Sequence, residues 1–318
     1  MSLSPTVTVT VPATTANIGP GFDCLGAALT VYNQFQFAHL LVGLEVGAQQ
    51  RVQIIVEGLE ADRVKTDESN LAYQAFAKLY EHLGQTPPPV QITIQLGVPL
   101  ARGLGSSATA IVGGLVGANV LAGSPLSATE VMQLAIAMEG HPDNVVPALI
   151  GGCRLAATNP EGKWEICDIP WHSDIVPVVA IPNFELSTAE ARRVLPSDYS
   201  RADAIFNTAH LGLLVRALET GNGKWLRAAL QDRIHQPYRQ TLIPGYAAVQ
   251  DTAIAAGAYG LVISGAGPTL LALTNSQQAA NVEAAIANAW VEQGITPLVK
   301  ALQIDLKGAV TVAEPVSF

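Results

Sequence analysis

Cysteine, positive charge and long apolar runs are all in short supply in this chain. Only three cysteines occur in 318 residues, Cys24, Cys153 and Cys167. Odd in number and widely spaced, they exclude a disulfide framework and a cysteine-based zinc site, and they point to a reducing compartment. Each reads as a small buried residue. Lys and Arg total 17 against 26 Asp and Glu, a net charge of −9. A nucleic-acid binder needs a basic face, so no nucleic-acid partner is expected. The first basic residue is Arg51, so no secretory leader with a positive start is expected. The longest near-apolar run, residues 110–123, contains Asn119 and is too short to cross a bilayer. No membrane partner is therefore expected, and the cytoplasm is the expected location. A Walker A loop, Gly-x-x-x-x-Gly-Lys-Ser/Thr, is also missing.

What is plentiful is hydrophobic side chain, 49% of the residues, enough for one large or two ordinary domains. The most informative stretch is Pro99-Leu-Ala-Arg-Gly-Leu-Gly-Ser-Ser-Ala108, set between a strand-like run and a helix-like run. Gly103 and Gly105 allow positive φ, so consecutive backbone N–H groups can converge on an anion. The following helix aims the positive end of its dipole at the same spot, and Ser106 and Ser107 add hydroxyls. A nucleotide phosphate cradle fits these features. Two alternatives stay open on the loop alone: a plain glycine turn before a core helix, and a dinucleotide site matching Gly-x-Gly-x-x-Ala. The dinucleotide reading needs an acid at the end of a second strand, but Glu130 lies in Ser127-Ala-Thr-Glu130, a helix capping box.

Alternation predicts strands over 6–11, 51–57 and 91–96, and a turn-rich segment over 12–23. Helical spacing from Leu71 to Leu83 predicts a helix capped by Asp67 or Ser69. Helices are predicted over 106–121 and 127–139, the second buried because its apolar positions run around most of its circumference. A Gly151-Gly152 break and a strand over 153–157 follow His141-Pro-Asp-Asn144. Further strands are predicted over 176–181, 260–264 and 269–274, and helices over 204–219, 223–231 and 277–292. Residues 40–50 read as a surface loop. The interspersed elements predict an α+β or mixed α/β protein. Pro and Gly cluster near 155–175, predicting domains over 1–160 and 161–318.

Four separated motifs resemble the homoserine kinase family of the GHMP small-molecule kinases. They are Pro12-Ala-Thr-Thr-Ala-Asn-Ile-Gly-Pro-Gly-Phe-Asp23, the 99–108 loop, Glu139-Gly-His-Pro-Asp-Asn-Val145 and Ser264-Gly-Ala-Gly-Pro-Thr269. Ser187-Thr-Ala-Glu-Ala-Arg192 and Asp232-Arg-Ile-His-Gln-Pro-Tyr-Arg239 carry the same resemblance, which covers roughly residues 5–300. Gln236 departs from it, standing where an acid is more usual. The resemblance implies an α+β fold with an N-terminal domain like ribosomal protein S5 domain 2 and a ferredoxin-like C-terminal domain. It implies transfer of the γ-phosphoryl of ATP to the hydroxyl of L-homoserine in threonine biosynthesis, with Mg²⁺ as cofactor and a homodimer as a common assembly.

Residue by residue, the resemblance implies nucleotide contacts at Asn70, Pro99, Arg102, Gly103, Leu104, Gly105, Ser106, Ser107 and Ala108. Ser107 (or Ser106) and Glu139 fit a hard cation. A zwitterionic amino acid needs an anion for its ammonium, which Asp23 supplies, and cations for its carboxylate, for which Arg192 and Arg239 are suited. Asn17, His141 and Asn144 would orient the substrate. Asp143 is the candidate general base, with direct attack as the alternative, and Asn144 joins Glu139 and Asp143 as a catalytic candidate. Ser264–Thr269 would pack beside the cradle. Taken singly, Glu139 also fits a solvated helix end, each arginine a surface charge, and His141 an ordinary polar histidine. The other functional readings are a different GHMP kinase, such as a mevalonate kinase, and a non-catalytic binding protein on the same fold.

Overall fold

The computed structural model describes residues 6–40 and 51–314. Of the loop expected over 40–50, all but Leu40 lies outside the described residues. The first half runs β1 (Thr6–Asn17), β2 (Gly21–His39), β3 (Val52–Gly58), α1 (Leu71–His82), β4 (Val90–Leu96), α2 (Ser106–Leu121), α3 (Ala128–Glu139), α4 (Pro142–Ile150), β5 (Cys153–Thr158) and β6 (Trp164–Ile169). The second runs β7 (Val176–Ile181), α5 (Thr188–Arg193), α6 (Arg201–Thr220), α7 (Gly223–Ala229), α8 (Gln236–Arg239), α9 (Tyr246–Ala255), β8 (Gly260–Ile263), β9 (Leu270–Thr274), α10 (Ala279–Glu292), β10 (Leu298–Ala301) and β11 (Val310–Glu314). The expected α+β class is what is observed.

The seven-stranded first sheet has the order β11-β1-β2-β4-β3, with β5 also on β2 and β6 on β5. Among the described residues only β3 and β4 pair in parallel, as a crossover through α1 allows. The segment over 12–23 is mostly strand rather than turn: Ala13–Ala16 pair with Gly26–Leu29 and are fully buried. Ladder pairing there overrides the local turn composition. The turn itself is confined to 18–20.

Helix α2 is buried nearly all round because glycine lets it approach the sheet. A Cβ on Gly113 or Gly117 would collide with the rings of Phe35 or Phe37 on β2. Those rings sit in the main core with Phe76 and Ile92, where truncation to Ala costs about 3–5 kcal/mol. This packing fixes the direction in which the N-terminus of α2 points. By contrast, α3 buries only Val131, Ala135 and Ile136. It lies outside α2, so apolar content alone did not earn it burial on every side. The cap of α1 is neither Asp67 nor Ser69 but Asn70, whose Oδ1 accepts from the Ala72 N–H at 2.9 Å. Asp67 instead accepts from the Ser69 N–H, at 2.8 Å.

Helix α4 was not expected, since Pro147 lies inside it. Pro142 at its first turn suits a helix start, and packing on β1, β2 and β5 supports it. Gly26 on β2 makes room for that packing, because a Cβ there would overlap the Asp143 carbonyl oxygen.

The second sheet is four-stranded and antiparallel, in the order β10-β7-β9-β8. With α9 before β8 and α10 after β9, this is the ferredoxin-like arrangement. Its side chains alternate between two cores. Val178, Ala180, Ile263 and Leu270 face α9 and α10. Val179, Val262 and Leu271 join Leu214 and Leu226 from α6 and α7, and Leu25 and Leu104 from the first half. A division at 160/161 cuts the β5–β6 hairpin, whose turn spans 159–163 and whose strands both belong to the first sheet. Strand β11 also returns to that sheet, on β1.

Candidate active site

The phosphate-type loop is held from behind by two other motifs. Gly103 and Gly105 have φ of 76° and 66°, the left-handed region that favours glycine. A Cβ on Gly103 would overlap the Ser264 carbonyl oxygen, and one on Gly105 would overlap Thr14 Oγ1. Ser264 Oγ donates to the Gly103 carbonyl (2.7 Å), and the Thr269 N–H donates to that of Arg102 (3.2 Å). The Gly265 N–H reaches the Ala16 carbonyl (3.0 Å). The 12–23 signature, the loop and the 264–269 turn therefore meet, and the last packs beside the loop as expected. Gly105 is the N-cap of the 16-residue α2, with no side chain capping it. The first N–H groups of that helix are left for an anion. Ser107 Oγ donates to Glu139 Oε1 at 2.8 Å, because α3 ends at Glu139 beside the start of α2.

These groups open on a cavity of about 510 Å³. Its other end is lined by Asn17, Asp23, His141, Asp143, Asn144, Arg192 and Arg239. Arg192 donates to both carboxylate oxygens of Asp23, at 2.9 and 3.0 Å, so two of the expected zwitterion contacts are paired directly with each other on the cavity wall. Arg239 is only 1% exposed. Burial, then the charge of Arg192, pushes its pKa down to about 10. His141 Nδ1 lies 2.6 Å from Asp143 Oδ1, and Asn144 Nδ2 donates to the same oxygen at 3.3 Å. Burial lowers the His141 pKa, but the hydrogen bond and charge of Asp143, with smaller help from Glu139 and Asp23, leave it raised overall. Asn144 Oδ1 accepts from Thr14 Oγ1 (2.8 Å). Non-glycine residues hold positive φ here: Asn17 (71°), Ile18 (42°) and Asp23 (56°). Such backbone persists where surrounding structure enforces it, and it clusters at functional sites. Among the described residues no group of three or more His, Cys, Asp or Glu forms a ready metal cage.

The first half matches the family model of the GHMP kinases N terminal domain over residues 70–152, and the second that of the GHMP kinases C terminal over 214–292. Among curated proteins, the chain is 68% identical to a homoserine kinase of Trichormus variabilis over 311 residues, 97% of this chain and all of that one. It is 69% identical to a homoserine kinase of a Nostoc species over 309 residues, again 97% of this chain and all of that one. The chain belongs to the homoserine kinase family of the GHMP kinases. A solved homoserine kinase from Cytophaga hutchinsonii superposes with a TM-score of 0.85 at 28% identity, covering 96% of this chain and 97% of that one. A mevalonate kinase from L. major, at 16% identity and TM-score 0.70 over 93% and 94% of the two chains, shares the fold.

Within this homoserine kinase family member, the side chains of several residues singled out in the sequence hold neighbouring structure. Arg102 lines the cavity, but its guanidinium pairs with Glu60 (3.3 Å) and Glu185 (2.8 Å) and donates to the Leu100 and Pro182 carbonyls. It ties the loop to both halves rather than offering a free charge. Leu104 and Ala108 are buried in the core, and neither they nor Pro99 line the cavity. Asn17 Nδ2 donates to the Gly265 carbonyl (2.7 Å), and its Oδ1 accepts from the Asp23 N–H (2.9 Å). Gln236, the departure from the family pattern, accepts from the Ile263 N–H through Oε1 (2.8 Å), a neutral role that needs no acid. Cys153 is buried as expected, Cys24 is partly exposed and Cys167 is exposed, an exception on the outer strand β6. Sequence reading missed Leu186, Ser187 and Thr188, which line the cavity at the start of α5. Ser187-Thr-Ala-Glu190 is a capping box and was the available signal. No helix among the described residues is long and apolar enough to cross a membrane.

Proposed function

We propose that the protein transfers the γ-phosphoryl group of ATP to the hydroxyl of L-homoserine, giving ADP and O-phospho-L-homoserine. The observation that carries this is one cavity with an uncapped helix N-terminus at one end and Asp23, Arg192 and Arg239 at the other. An anion is favoured at the first end and an amino-acid zwitterion at the second. A mevalonate-type acceptor has no ammonium for Asp23.

The triphosphate would lie on the backbone N–H groups of Gly103–Ala108. A smaller cavity of about 210 Å³ adjoins the loop through Ala101, Ser106 and Ser107. Its lining is mostly apolar, with Phe35, Leu71, Ile94 and Leu96, and it suits a nucleobase. Asn70 lies on its wall, though its polar atoms cap α1 and bond the Lys65 carbonyl. Ser107 and Glu139, one hydroxyl and one carboxylate within 2.8 Å of each other, form the kind of sparse oxygen set that Mg²⁺ shares with phosphates and water. Bound there, the ion would neutralise charge developing on the phosphates.

At the acceptor end, Arg239 and Arg192 would receive the carboxylate and Asp23 the ammonium. The hydroxyl would then sit beside His141, Asp143 and Asn144. Its oxygen attacks the γ-phosphorus as the bond to the ADP oxygen breaks, so positioning and charge neutralisation carry the rate. Both hydrogen bonds within the His141–Asn144 group fall on Asp143 Oδ1, which makes Oδ2 the candidate to take the hydroxyl proton. An ATP-dependent enzyme of this kind would work in the cytoplasm. The test is ADP release from Mg-ATP with L-homoserine, L-serine, mevalonate or no acceptor. Release with L-homoserine alone is expected; release with mevalonate instead would overturn the zwitterion assignment.

A further inference from the structure

Arg239 is a buried guanidinium whose three hydrogen-bond partners among the described residues are all uncharged. Nε donates to the Ala191 carbonyl (3.2 Å) and one terminal nitrogen to the Gly265 carbonyl (3.1 Å). The same nitrogen lies 3.4 Å from Nδ1 of His235. His235 is completely buried, lies outside the cavity lining and has no part in the transfer described above. Its position is fixed on every side. Its N–H donates to Asp232 Oδ2 (2.8 Å), and its ring stacks on Phe22 with centroids 5.2 Å apart. Its Nε2 lies 2.8 Å from the carbonyl oxygen of Gly19.

That last contact sets the tautomer. A carbonyl only accepts, so Nε2 carries the ring hydrogen, and Nδ1 is left as an acceptor aimed at Arg239. Burial holds the imidazole pKa below its ordinary value and so keeps the ring neutral. Phe22 completes the support. Arg239 lies 5.0 Å from its ring centroid and Arg192 lies 5.7 Å from it, both within cation–π range. A carboxylate at the place of His235 would pair with Arg239 and compete with a ligand anion. A neutral acceptor orients the guanidinium without forming an ion pair with it.

We propose that His235 is a positioning residue, its neutral Nδ1, with the Phe22 ring alongside, aiming Arg239 at the carboxylate of the amino-acid substrate. This rests on the reading of Arg239 as a substrate-carboxylate group. Three variants separate the parts of the ring. His235→Asn places an amide oxygen near the position of Nδ1 and keeps an acceptor for Arg239. His235→Gln places its amide near Nε2 and keeps the bond to Gly19. His235→Phe keeps only the stack on Phe22.

The experiment is steady-state ADP release from Mg-ATP with L-homoserine, with both KM values and the melting temperature measured for each variant. The Gln and Phe variants are expected to raise the homoserine KM by about 10- to 100-fold, the range of a hydrogen bond to a charged group. The KM for ATP is expected to stay at its wild-type value, and the Asn variant to recover most of the homoserine affinity. An unchanged homoserine KM in the Gln and Phe variants overturns the proposal. So does a Gln variant that outperforms Asn, or a parallel rise of both KM values with the fall in melting temperature. A wild-type enzyme silent with L-homoserine overturns the acceptor assignment and this proposal together, whereas an active wild type with indifferent variants overturns only the role of His235.

Discussion

The two ends of the cavity are built by different means. The proposed phosphate end is a contiguous loop, 103–108, that offers backbone N–H groups and is shaped by two left-handed glycines. The acceptor end is made of side chains from four separate segments, and the Asp23–Arg192 pair alone joins residues 169 positions apart. On the proposed reading the first end would recognise what every nucleotide triphosphate shares, and it needs little more than a helix start and room for an anion. The second must tell one hydroxyl compound from another, so it relies on charge of both signs placed by the tertiary fold. Substitutions at the two ends should therefore affect different kinetic constants.

The largest expected effect lies where the ends meet. Glu139→Gln removes the anionic partner of Ser107 and should lower kcat by about 10²- to 10³-fold, the range for losing a charge-stabilising group. The Mg²⁺ concentration for half-maximal rate should rise as well, which a Mg²⁺ titration of the variant measures. Next, Gly105→Ala forces a side chain into a left-handed backbone and against Thr14 Oγ1. A loss of about 2–3 kcal/mol in stability is expected, read by thermal melting, with a raised KM for ATP and little change in that for homoserine. Arg239→Lys tests the opposite end. It keeps the charge but loses the planar fork, and should raise the homoserine KM by about tenfold while sparing that for ATP.

The smallest effect is a pH dependence. The His141 pKa is raised in the folded protein by Asp143, which outweighs burial. A raised histidine contributes stability that is fully present below the imidazole's ordinary pKa of 6.5 and is lost as pH rises through the folded value. Melting temperatures of the wild type should therefore fall slightly across that window, and Asp143→Asn should flatten the slope. An identical slope in the variant would remove the pair as its source.

The same contrast governs how much could be read from sequence. The phosphate loop, the capping box at Ser127 and the α2 and α3 boundaries follow from adjacent residues, so local rules found them. Helix α4 hid because Pro147 breaks the local pattern while burial against β1, β2 and β5 sustains it. The 12–23 signature looked like turn because its Thr, Ala and Gly composition carries no trace of the β2 partner across the ladder. The ion pairs of Arg102 were hidden because nothing near it in sequence announces Glu60 or Glu185. His235 was invisible for the same reason: its meaning lies in Gly19, Phe22 and Arg239, which only the folded chain assembles.

The division between a phosphate end and a zwitterion end is tested most directly by three acceptors compared at saturating Mg-ATP: L-homoserine, 4-hydroxybutanoate, which lacks the ammonium, and 3-aminopropan-1-ol, which lacks the carboxylate. Turnover with L-homoserine is expected, with kcat/KM lower by about 10²-fold or more for each analogue, because each forgoes one of the two charge contacts that would hold the substrate, and with the KM for ATP unchanged. An analogue lacking either charge that is phosphorylated as well as L-homoserine would contradict the assignment of Asp23, Arg192 and Arg239.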